Sequence, residues 1–139
     1  MSKLDIDALY GALHIHLNGL CGGRVFPDLA PAKTITPFVV YSFESGGETD
    51  TRRRETSALT LVIKCVAQEL DDAFTNARLI RDLLRDAGAQ EGNTLPTDSD
   101  WHLLTVSQGL LVHMVEVWED GSVFYHTGHQ YTFVMELRA

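Results

Sequence analysis

The chain has 139 residues, a length that fits one domain with a sizeable core. Its apolar share of 45% is ordinary for a globular protein, and no stretch is repeated or low in complexity. Nineteen acids against eleven Lys and Arg leave a net charge of −8, which argues against broad binding of a phosphate backbone, although an acidic wall beside DNA repels it and lets it slide.

Ser2 reads as an N-cap with Asp5 three residues on, and Ile6, Leu9, Leu13, Leu17 and Leu20 then recur at helical spacing. This predicts a first helix ending near Gly19 to Gly23. His14 and His16 are spaced by two on that helix, point roughly 200° apart and cannot chelate one ion together. Gly22 and Gly23 release the chain, and Pro27, Pro31 and Pro37 stiffen a connector whose last proline stands at the start of a strand. That strand, Phe38 to Phe43, is apolar on both faces: Phe38 and Val40 on one, Val39, Tyr41 and Phe43 on the other. Such a strand is either central in a layered fold or covered by another subunit. Glu44 to Ser57 is polar, with Gly46-Gly47 and Arg52-Arg53-Arg54, and reads as a long mobile hairpin tip. Glu48, Asp50 and Glu55 nearly cancel the three arginines, favouring a solvated loop over a nucleic-acid contact.

Ala58 to Ala67 returns as a strand, with Leu59, Leu61, Ile63, Cys65 and Ala67 on one face and Thr60 and Lys64 on the other. Asp71 and Asp72 favour the positive end of a second helix. Its expected buried stripe is Leu70, Ala73, Phe74, Ala77, Ile80, Leu84 and Ala87, flanked by Leu79 and Leu83, and Gly88 supplies the stop. Truncating Phe74 to Ala is then expected to cost about 3–5 kcal/mol. Residues 89–100 read as a loop. Trp101 to Val106 and Leu110 to Trp118 read as two strands with a break at Ser107-Gln108-Gly109, and Asp120-Gly121 marks a tight turn. Val123 to His126 leads through Thr127-Gly128 into the alternating His129, Tyr131, Phe133, Met135 and Leu137; Gly128 is either a bulge in one strand or a turn between two. The expected fold is α+β and a single domain over residues 1–139. It has a mainly antiparallel sheet, an N-terminal helix, a second helix packed on one face and a long β-hairpin.

Little of this carries chemistry. His126 and His129 fall on opposite faces of a continuous strand, but a bulge at Gly128 brings them together, and with His113 and Asp120 nearby a small metal-dependent enzyme is the alternative reading. No ligand spacing matches a zinc pattern, so no metal or cofactor is expected. Ser42, Ser45 and Ser107 lie in no nucleophile elbow, and Gly22-Gly23 follows a helix where a phosphate cradle follows a strand. Cys21 and Cys65 form no CxxC and are expected to stay reduced in a cytosolic setting. No apolar run reaches the roughly 18 residues of a membrane span, and neither a signal peptide nor a membrane partner is expected. A protein that is not an enzyme is the expectation.

An amphipathic helix followed by GGRVFPDLAP, a spacer, PFVVYSFESG and the strand LTLVIKCVA resembles the tail-terminator, or tail-completion, proteins of long-tailed bacteriophages and related prophage particles. The resemblance covers roughly residues 4 to 87 in pattern and the later strands in outline. It implies a structural subunit of a hexameric ring that caps the finished tail tube, halts its polymerisation and presents a surface to the head-completion or connector protein. The implied partners are other copies, the tail tube protein and that connector, with DNA only passing through the channel. The implied location is the tail or neck of a virion assembled in the bacterial host cytoplasm. Another neck or head-completion role is the neighbouring reading. The surplus apolar face of the first strand, drawn from Phe38, Val40, Tyr41 and Phe43, together with Arg52, Arg53 and Arg54 beside it, is the expected subunit interface.

Overall fold

In the computed structural model, which describes residues 5–50, 55–89 and 101–137, helix α1 (Asp5–Leu17) and a short 3-10 turn (Leu20–Gly23) lead into strand β1 (Val25–Pro27). There follow β2 (Phe38–Asp50), β3 (Glu55–Ala67), α2 (Leu70–Ala89), β4 (Trp101–Val117) and β5 (Val123–Leu137). The five strands form one sheet in the order β1-β2-β3-β5-β4, antiparallel throughout except for the parallel pair β1 and β2. This is the α+β, mainly antiparallel architecture that the sequence predicts.

The first helix forms as its spacing dictates: Leu9, Leu13 and Leu17 are buried with Ala8 and Ala12, while Ile6 and Leu20 pack at the margin. It ends at Leu17, and in the 3-10 turn that follows Cys21, Gly22 and Gly23 take φ values of 51°, 63° and 88° in succession, a left-handed run that two glycines make affordable to the backbone. The connector is more than a spacer. Val25–Pro27 joins the sheet as an edge strand, bracketed by hydrogen bonds from Val39 N to Arg24 O at 2.9 Å and from Asp28 N to Tyr41 O at 2.8 Å. Pro27 is tolerated because an edge strand does not need its missing donor.

The expected loop from Glu44 to Ser57 is mostly strand. β2 and β3 stay paired out to Asp50 opposite Glu55, with one slip between Phe43 and Ser45 that bulges out Glu44, and Ser57 is buried. Polar composition misled here because a hairpin ladder is held by backbone groups that every residue carries. Only residues 51–54 separate the strands, and they lie outside the described residues.

On β3 the expected face holds without exception: Leu59, Leu61, Ile63, Cys65 and Ala67 are all buried. α2 lies across β3, β4 and β5, burying Ala73, Ala77, Ile80 and Leu84. The stripe is narrower than predicted, because Leu70, Phe74 and Leu79 remain exposed; Phe74 is 42% accessible and is not core. The break at Ser107-Gln108-Gly109 proves to be a β-bulge within a single 17-residue strand, with a second irregularity between Leu103 and Thr105. β5 runs straight through Gly128, which is neither bulge nor turn: it pairs with Lys64 on one side and Val112 on the other. Asp120-Gly121 makes the tight turn as predicted, with Gly121 N donating to Trp118 O at 2.9 Å.

The main core lies between the helices and the sheet, and holds Trp101, Tyr131, Phe133 and Met135 against Leu13, Ile80 and Leu84. A smaller apolar cluster sits on the helix-free face, where Phe26 meets Phe38 edge-on at 6.2 Å and Val40 and Val66 are buried. Both faces of β2's first half are therefore covered within the chain.

Candidate assembly interface

The seven residues expected at a subunit contact separate into three groups. Val40 and Tyr41 are buried, the tyrosine in the main core with its hydroxyl donating to the Tyr10 carbonyl at 3.4 Å. Phe38 is half-buried against Phe26, and Phe43 is 42% exposed. Arg52, Arg53 and Arg54 lie outside the described residues. Just beyond β1 a side chain takes over the outer edge of β2 at one residue: the Phe43 amide donates to the Tyr10 hydroxyl at 2.9 Å, and that hydroxyl donates to Asp28 at 2.7 Å. Burial and the Asp28 carboxylate push the Tyr10 pKa up to about 12, so the phenol stays protonated and keeps this bridge. At the bulge, the Gln130 side-chain amide donates to Glu44 at 2.7 Å, spanning β3 to tie β5 to β2.

The larger apolar surface is elsewhere. The outer half of the edge strand β4, Leu110 to Trp118, forms an arm along β5, which β3 backs as far as Tyr125; only the last residues, Glu116 to Trp118 with Val123 and Phe124, reach beyond β3. Leu110, Leu111, Met114, Val115, Val117 and Trp118 on it are between 46% and 71% exposed. Cross-strand register puts Leu111, His113, Val115 and Val117 on the helix side and Met114 on the opposite side, so the arm is apolar on both faces. Phe74 joins it from α2, its ring stacked on His113 at 5.7 Å and 9°, and Leu70 lies one turn earlier on the same helix flank. At the tip Trp118 leans on Phe124 with ring centroids 5.1 Å apart. β4 closes the sheet, and among the described residues no strand pairs with its outer edge. A long, apolar, unpaired edge is what soluble proteins avoid unless something covers it. The signal was present in the sequence: LLVHMVEVW is as apolar on both faces as PFVVYSF, and only Glu116 and His113 interrupt it.

The sequence matches the family model described as Tail completion protein gp17 over residues 7–105, well over half of the chain. The chain belongs to this tail-completion family. No curated protein matches it. Among solved structures, a chain in the virion of a native gene transfer agent (GTA) particle shares the fold with a TM-score of 0.58 and 17% identity, over 96% of this chain and 95% of that one. The family match ends in β4 just short of the arm, whereas the structural likeness extends over nearly the whole molecule.

In this tail-completion chain the three histidines of the alternative reading do not converge. His113 bonds Thr127 at 2.8 Å and stacks on Phe74 on the helix side of the sheet. His129 shares that side, two residues along β5, and meets Tyr131 at 6.1 Å. His126 points to the other face and pairs with Glu116 at 3.3 Å. Burial, then the nearby Lys64 ammonium, holds the His126 pKa below its ordinary 6.5. Hydrogen bonds from Trp118 and then His126 hold the Glu116 carboxyl low. Both cysteines are free thiols, Cys21 reaching Asn76 at 3.5 Å and Cys65 buried. Among the described residues no group of three His, Cys, Asp or Glu is placed to hold a metal ion.

Proposed function

We propose that this member of the tail-completion family is a tail terminator: copies close into a hexameric ring on the finished tube, stop its growth and offer the opposite surface to the head's connector. The structural role in a phage tail follows from the family; the ring, the capping and the partners are the finer reading. The observation that carries it is the arm. A subunit that leaves an apolar, unpaired edge strand along one side of its sheet has a surface to bury, and repetition of one head-to-tail contact closes into a ring when the rotation per subunit allows. We assign the receiving surface to the β2 side of the next copy, where Phe43 is exposed and Phe38 half-buried, and include Arg52, Arg53 and Arg54 of the sequence between β2 and β3. Val40 and Tyr41, covered by their own chain, support that surface from beneath. The net charge of −8 per copy suits a channel through which DNA passes without adhering. The assembly test is deletion of the gene from its particle: overlong tails, or tails not joined to heads, are expected, and normal tails attached to heads would sink the reading.

A further inference from the structure

Between α2 and the β4–β5 ladder lies a cavity of about 90 Å³ lined by Arg81, Leu84, Arg85, Val106, Gln108 and Tyr131. That is room for about three waters at about 30 Å³ each, or for one compact polar group. Arg81 and Arg85 are one turn apart on α2 and present their guanidinium groups on the same side. Each has only Asp82 as an ion-pair partner among the described residues, at 3.5 Å and 3.9 Å, and Asp82 is half exposed. Arg81 Nε and the Tyr131 hydroxyl are buried and have no hydrogen-bond partner among the described residues. Tyr131 itself is only 2% exposed, so its hydroxyl can be served only by what occupies the cavity. Burial pushes the Tyr131 pKa up to about 12, so the hydroxyl is present as a donor at neutral pH. The β4 bulge, which slips the register between Gln108 and Leu111, sets the Gln108 amide at the same cavity. Two fixed cations, a buried phenol and an amide form a donor-rich lining with few acceptors.

We propose that this cavity binds one small oxyanion of the carboxylate or phosphate class, held by Arg81 and Arg85 with Tyr131 and Gln108 donating. The source is either a free anion or an acidic side chain of a second copy of this chain. A polyanion is disfavoured, because the −8 charge of the whole chain repels an extended phosphate backbone, while a single small anion at the cavity sees two arginines against the one Asp82 carboxylate.

The test follows the Arg81 Nε–Hε resonance of the 15N-labelled full chain, assigned by its loss in Arg81→Lys. Inorganic phosphate is added at constant ionic strength against chloride, and separately the protein is diluted without phosphate. A saturable shift with phosphate and none with chloride, its affinity lowered at least tenfold in both Arg85→Gln and Gln108→Leu, supports a free anion. A saturable shift with protein concentration alone, abolished by Arg85→Gln, supports a carboxylate from a second copy. Arg85 and Gln108 are both exposed, so these variants keep the fold, which circular dichroism checks; Tyr131→Phe, the closest isostere, is the third variant. No saturable response in either series, or a response that all three variants leave unchanged, overturns the proposal.

Discussion

At Gly128 an added Cβ would stand 2.0 Å from the Ile63 carbonyl oxygen and 2.6 Å from the Lys64 Cα, distances that backbone atoms cannot relieve by rotating a side chain. Gly128→Ala is therefore expected to destabilise by about 3 kcal/mol or more by forcing β3 from β5. Gly11, exposed in the middle of α1 with nothing within 4 Å of a Cβ, is the counter-case. There the same substitution should stabilise by about 0.5–1 kcal/mol through helix propensity, and urea midpoints of the pair check the opposite signs. Phe74→Ala should cost only about 1 kcal/mol, the worth of a half-exposed stack on His113. Phe133→Ala, fully buried, should cost about 3–5 kcal/mol, and equal losses for the two would contradict the burial. His129 supplies a pH dependence. Burial, then Arg81, holds its folded pKa below 6.5. As pH falls through 6.5 the unfolded chain takes up a proton before the folded one does, so stability is full above that value and is lost on acidification. His129→Gln should shrink the loss in urea midpoint between about pH 7.5 and about pH 5.5; an unchanged loss would show that other groups carry it.

Elements were legible in proportion to how far backbone and side-chain patterns agreed. β3 could be read residue by residue because period two and apolarity coincide from Leu59 to Ala67, and the helical spacing of Leu9, Leu13 and Leu17 located α1 as well. The outer halves of β2 and β3 were missed because Glu44 to Ser57 carries no apolar alternation, and ladder pairing leaves no trace in side-chain type. The width of α2's buried stripe depends on where the sheet beneath it ends, which is why Leu70 and Phe74 were assigned to the core and instead flank the arm. The candidate interface was half legible. The sequence pointed to a doubly apolar strand, and the structure offers two, of which the first is covered by Phe26 and α1 and the second is not. For the arm, Leu110→Glu combined with Val117→Glu, at positions 71% and 67% exposed, should leave the melting midpoint of the free subunit within about 0.5 kcal/mol of the parent. The same variant should fail to restore joined tails to a gene-deleted particle. Full restoration would remove the arm from the interface.

For the whole molecule, β1 and β4 end the sheet on opposite sides, so the arm and the β2 side are different surfaces and a contact between them is heterologous. That geometry has a specific consequence for mixtures. A copy carrying the arm substitutions keeps an intact β2 side, and a copy carrying Phe43→Glu keeps an intact arm. Neither should form rings alone, whereas the two together should give a discrete one-to-one dimer that cannot grow. Light scattering on the single and mixed samples, at concentrations where the parent assembles, reads this directly. Dimers from the arm variant alone would mean a self-complementary contact and would count against ring closure through these surfaces.

The central ladder also governs how the chain reaches this state. β2–β3 and β4–β5 are each joined by short connections and can form early, but the Thr60 and Thr132 hydroxyls that meet at 2.9 Å in the middle of the sheet are 72 positions apart. Joining the hairpins closes a long loop, so the entropic cost falls late, on the β3–β5 seam. Until it closes, each hairpin exposes a long inner edge that fits its own partner and equally the partner hairpin of another nascent chain. Dimers that exchange hairpins are thus the characteristic misassembly of this topology, competing with the productive subunit wherever many copies are synthesised together.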